Sequence, residues 1–123
     1  MSQVSVRAMI NKQPCELSLL SQRVGRVLRA FGETRARHRM TADEVLIFVA
    51  LGHLGLVPNS HGVALRPVTC LDLAELLGIP KETVRRKVAR LAEMQLVEAT
   101  TRGAMIQDQE EWRRLAESIA VTA

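Results

Sequence analysis

Apolar residues recur mostly at three- and four-residue intervals, with a few short stretches that alternate instead. Val4, Val6, Ala8 and Ile10 alternate, which predicts a strand or extended arm over residues 1–16. Leu17, Leu20, Val24, Val27, Leu28 and Phe31 then follow at helical spacing. They predict an amphipathic helix that closes near Gly32 and carries a basic polar face. Thr41 with Glu44 three residues on is a capping-box signature, because hydroxyl and carboxylate can each accept from the other residue's backbone N–H. The helix it opens runs through Val45, Leu46, Phe48, Val49 and Leu51 to about Leu54. Pro58, Asn59, Ser60, Gly62 and Pro67 predict a loop over 58–67, with a short strand at 63–65.

Regular structure resumes at Thr69, which has cap-like spacing to Asp72. Leu73, Leu76 and Leu77 lie on one side of that helix before Gly78 stops it. Ile79 and Pro80 make a turn, and Pro suits a helix start because its missing N–H would be unpaired there. Val84, Val88 and Leu91 form a single stripe on the next helix. Leu96 to Ala99 and Ala104 to Ile106 read as strands of a hairpin tipped by Arg102. Asp108 and Glu111 open a last helix with Trp112, Leu115 and Ile119 inward. The expected fold class is mainly α (α+β) in one domain: helices over 17–54, helix–turn–helix over 69–95, hairpin over 96–107 and a helix over 108–120.

A length of 123 residues with 47% apolar content supports one hydrophobic core. Aromatics make up only 2%, which argues against stacking single-stranded bases on an aromatic platform. The longest apolar run, 45–57, is 13 residues and is interrupted by Gly52, His53 and Gly55, so it reads as a core helix and not a membrane span. Arg7, Lys12, Arg23, Arg26 and Arg29 break up the first thirty residues, leaving no signal-peptide core there. With only Cys15 and Cys70, a reduced cytoplasmic protein is expected.

The net charge of +4 is unevenly spread. Residues 79–92 hold Lys81, Arg85, Arg86, Lys87 and Arg90 against Glu82 alone, and residues 23–39 hold six Arg against Glu33. With Val84, Val88 and Leu91 inward, the helix after the turn leaves Lys81, Glu82, Arg85, Arg86 and Arg90 outward. From there they can reach phosphates and base edges in a major groove.

The segment TCLDLAELLGIPKETVRRKVARLAEMQLV, residues 69–97, resembles the winged helix–turn–helix of bacterial transcription regulators. MTADEVLIFVALGHLG before it extends the likeness to the MarR family over residues 40–106, and the recognition helix also resembles that of the cyclic-AMP receptor family. The resemblance implies a winged fold with flanking helices, and a homodimer formed through the helices near the two ends. It further implies Lys81, Glu82 and Arg86 as base readers, Thr69 and Thr83 as phosphate contacts, and Thr100, Thr101 and Arg102 as a wing. By the same analogy an unidentified small-molecule effector would bind between the dimer helices and the winged part. The chain departs from the pattern at Pro80, where the families usually carry a capping Ser, and in having one helix after the wing. It also lacks a cyclic-nucleotide sensory domain.

Double-stranded DNA is therefore the expected partner, for a sequence-specific regulator acting as a repressor. A protein-interaction module without DNA readout and a plasmid or phage replication or partition factor are the alternatives. No phosphate-cradling Gly loop, nucleophile elbow or His–acid pair is present, so no enzyme is expected. His38, His53 and His61 lack metal-ligand spacing, and neither a metal nor a cofactor is expected. Cys15 and Cys70 read as ordinary small residues before redox sites.

Overall fold

The computed structural model describes residues 14–120. Its elements are α1 (Pro14–His38), α2 (Ala42–Gly55), β1 (Leu56–Asn59), β2 (Gly62–Leu65), α3 (Cys70–Leu77), α4 (Lys81–Glu93), β3 (Val97–Thr100), β4 (Gly103–Ile106) and α5 (Gln109–Ala120). The chain is mainly helical with two separate two-stranded antiparallel hairpins, an α+β arrangement. Among the described residues no helix is long and apolar enough to cross a membrane.

The apolar run places α2 at the centre, as a helix hydrophobic on most sides must be. Val45, Ile47, Phe48 and Leu51 are fully buried, and α1, α3, α4, α5 and β4 pack around them. The expected capping box is formed: Thr41 Oγ1 accepts from Glu44 N at 3.2 Å and Glu44 Oε1 accepts from Thr41 N at 2.7 Å.

Three helices stop in the same way. Gly78 (φ 67), Arg39 (φ 54) and Gln95 (φ 62) take the left-handed conformation after α3, α1 and α4. Each time the next N–H bonds five residues back: Ile79 to Ala74, Met40 to Arg35 and Leu96 to Leu91. The close of α1 near Gly32 is corrected accordingly. Gly32 lies inside the helix, and the Glu, Arg and Ala of residues 33–37 favour helix enough to carry it on to His38. At the other end α1 already begins at Pro14, so residues 14–16, expected to belong to the arm, are helical. The alternating segment 4–10 lies outside the described residues.

The loop expected over 58–67 is largely a hairpin, with Leu56 opposite Leu65 and Asn59 opposite Gly62. Pro58 reads as a breaker but is tolerated, since each strand of a two-stranded ribbon has an outer edge where a missing N–H is harmless. Asn59 Oδ1 accepts from His61 N at 2.8 Å and shapes the tip. The β3–β4 hairpin pairs Val97 with Ile106 and Thr100 with Gly103, close to the expected limits. Val68 bonds Ala104 in both directions, at 2.9 and 2.8 Å, so the chain entering α3 lies against β4. That approach requires Gly103, where a Cβ would stand 2.4 Å from the Val68 carbonyl oxygen.

α5 is fastened to α2 by Trp112, whose Nε1 donates to the Val49 carbonyl at 3.2 Å. The indole lies directly on Gly52: a Cβ there would be 2.0 Å from ring atoms. Gly52→Ala is therefore expected to push the indole off α2 and destabilise the fold by about 1–3 kcal/mol. Chemical denaturation and the emission of the single Trp check this, and unchanged values of both would contradict it.

Candidate nucleic-acid interface

α3 and α4 form a two-helix unit whose geometry follows from local chemistry. Thr69 is extended and its Oγ1 accepts from Asp72 N at 3.1 Å, which caps α3. Gly78 turns the chain and Ile79 packs against the core. Pro80 starts α4 with no side-chain cap, its carbonyl accepting from Val84 N at 3.0 Å. Leu73 of α3 and Val84, Val88 and Leu91 of α4 are buried against the core. This fixes which face of α4 looks outward.

That face holds Lys81, Glu82, Arg85, Arg86 and Arg90, all exposed, with Thr83 half-buried. The side chains of Lys81 and Arg86 form no hydrogen bond or ion pair with a described residue. Arg85 is paired along the helix, its Nε donating to the Glu82 carboxylate at 3.0 and 3.2 Å. The hydrogen bonds from Arg85 hold the Glu82 carboxyl below the usual carboxylate range, and the carboxylate raises the Arg85 guanidinium. Glu82 is thus an anion at neutral pH. Its pair with Arg85 is in solvent, which screens it and leaves both groups ready to exchange partners.

Arg90 is placed differently. Its Nε stands 2.8 Å from Glu44 Oε2, and its NH2 donates to the Arg39 carbonyl at 2.9 Å. Lys87 Nζ approaches the same carboxylate oxygen at 3.7 Å. Arg90 is thereby tied into the fold instead of standing free beside Arg86. Sequence reasoning found the cap made by Glu44 but missed this second role, whose only trace is an acid standing beside a run of apolar residues.

Arg102 is exposed at the tip of the β3–β4 hairpin, where its N–H donates to Thr100 Oγ1 at 3.2 Å. Thr100 Oγ1 in turn donates to the Gly103 carbonyl at 2.9 Å, which tightens the tip. The basic stretch 23–39 divides by face. Arg37 NH1 bonds Glu111 Oε1 at 2.6 Å and fastens α1 to α5, while His38 Nε2 lies 3.3 Å from the same oxygen without the alignment of a hydrogen bond. Arg35 and Arg39 are exposed and line one concavity with Gly32, Ala36 and Met40. Among the described residues no group of three or more His, Cys, Asp or Glu is placed to hold a metal ion.

Protein-family models and curated protein sequences were searched, and neither contains a match to this chain. The assignment of function therefore rests on the residues and their arrangement.

Proposed function

We propose that the chain is a winged helix–turn–helix regulator that binds double-stranded DNA sequence-specifically and represses transcription in the cytoplasm. The observation that carries this is α4 itself: one face is sealed into the core by Val84, Val88 and Leu91, while the other carries Glu82 beside Lys81 and Arg86, whose side chains bond no described residue. Set in a major groove, Arg86 and Lys81 would donate to guanine N7 and O6, and Glu82 would accept from cytosine N4. Thr69, at the start of α3, and Thr83 suit phosphate oxygens, and the β3–β4 hairpin is the wing that lays Arg102 on the backbone.

A homodimer fits the same reading. Leu17, Leu20, Val24, Val27 and Leu28 are exposed on α1 at three- and four-residue spacing, a stripe with no partner among the described residues. A second copy covering it would set two α4 helices for half-sites about one helical turn, ~34 Å, apart.

Binding to random duplex across a salt series separates this function from a protein-interaction module. A DNA binder shows log affinity falling steeply with log salt, and an interaction module shows almost no slope. Within the series, Arg102→Ala is expected to weaken all sequences alike and reduce the slope by about 1, as a phosphate contact should. A sequence-dependent loss would move Arg102 out of the backbone role.

A further inference from the structure

The cationic row of α4 does not end at Arg86. Arg90 stands one turn further along the same exposed face, and its bond to the Arg39 carbonyl seats the α1–α2 corner against the C-terminal half of α4. The Arg39 side chain is exposed and forms no hydrogen bond or ion pair with a described residue. One turn back on α1, Arg35 donates from Nε to the Met40 carbonyl at 3.1 Å, which folds its guanidinium over the same corner. Gly32 and Ala36 lie beside the two arginines on this face of α1, and the four residues with Met40 line one open surface concavity.

Two guanidiniums beside Gly32 and Ala36, with Met40 buried beneath them, have the chemistry of a phosphodiester site: cationic donors at the edge of a surface that two small residues leave open. Neither Arg35 nor Arg39 is within ion-pair distance of a described carboxylate. Glu33, the acid nearest them on α1, lines a different concavity with Glu117 of α5. Duplex DNA, with one charge about every 1.7 Å of axis, is met best by a continuous line of cations. The bond from Arg90, itself paired with Glu44, to the Arg39 carbonyl brings the α1–α2 corner with Arg39 and Arg35 up to the helix that carries Arg86.

We propose that Arg35 and Arg39 form a second DNA-backbone contact, taking phosphates that flank the groove α4 enters. This rests on the DNA-binding reading of α4 and extends its footprint beyond the two-helix unit and the wing.

The test is fluorescence anisotropy of a random duplex of roughly 30 base pairs across a salt series, with wild type, R35Q/R39Q, R39Q alone and R113Q/R114Q. The last removes two charges from α5. Two phosphate contacts contribute about 1.8 to the salt slope, so wild type should lose roughly tenfold more affinity than R35Q/R39Q between about 50 and 200 mM salt. R39Q, which removes no hydrogen bond of the fold, should show about half that change in slope, and R113Q/R114Q almost none. Wild-type slopes in R35Q/R39Q and R39Q overturn this contact alone. Equal losses in R35Q/R39Q and R113Q/R114Q overturn it in favour of net charge, and failure of wild type to bind duplex at all overturns the α4 assignment as well.

Discussion

Glu44→Ala is expected to cost the fold about 3–5 kcal/mol, the range for removing one partner of a buried ion pair. The carboxylate is fully buried and acts in two directions. Oε1 caps α2 through Thr41 N, while Oε2 meets Arg90 and Lys87 of α4 as an ion pair without the alignment of a hydrogen bond. Alanine leaves the Thr41 N–H unpaired, opens a void and strands two cations beside it. The Arg90 side chain is 48% exposed and can turn into solvent, which places the loss toward the lower end of the range. Glu44→Gln keeps a cap acceptor and should lose less. Urea denaturation of the three proteins checks this, and a loss under about 1 kcal/mol for alanine would contradict it. Because α4 is held through Arg90, DNA affinity should fall with Glu44→Ala although Glu44 reaches no nucleotide.

The second large effect belongs to the outward face of α4. Changing both Lys81 and Arg86 to Ala should cost roughly 2–6 kcal/mol on the preferred duplex, taking about 1–3 for each base contact and near-additivity between them. The fold should be little affected, since neither side chain forms a hydrogen bond or ion pair with a described residue. Titration of a preferred and a scrambled duplex with both proteins measures the effect. A loss of the same size on both duplexes would make these residues phosphate contacts and remove sequence readout from α4.

Much of this was legible because local chemistry controls it. Thr41, Thr69 and Asp108 each accept from a backbone N–H three residues on, and each helix starts where that signature stands. Gly78 marked the end of α3 because glycine is the residue expected at a left-handed cap. Arg39 and Gln95 make the same turn without glycine, so the end of α1 was misplaced to the nearer Gly32. Pro58 hid β1 for a related reason: the residue signals a break, and only the pairing with β2 shows that its edge is free.

The parts of the site that could not be read are held by contacts distant in sequence. Arg37 meets Glu111 across 74 positions, and Arg90 meets the Arg39 carbonyl across 51. Charge counting placed a basic stretch at 23–39 without showing that Arg37 serves the α5 contact while Arg35 bonds the Met40 carbonyl at the α1–α2 corner. For α4 the count and the burial stripe agree, because helical periodicity alone decides which side chains face outward.

Selection of bound duplexes from a random pool, carried out in parallel with wild type and Arg86→Ala, tests sequence readout by α4 most directly. The account predicts a two-fold symmetric site with half-sites about one helical turn apart for wild type, and loss of preference at one base pair of each half-site for Arg86→Ala. Recovery of no common sequence by wild type, or of the same site by both proteins, would contradict it.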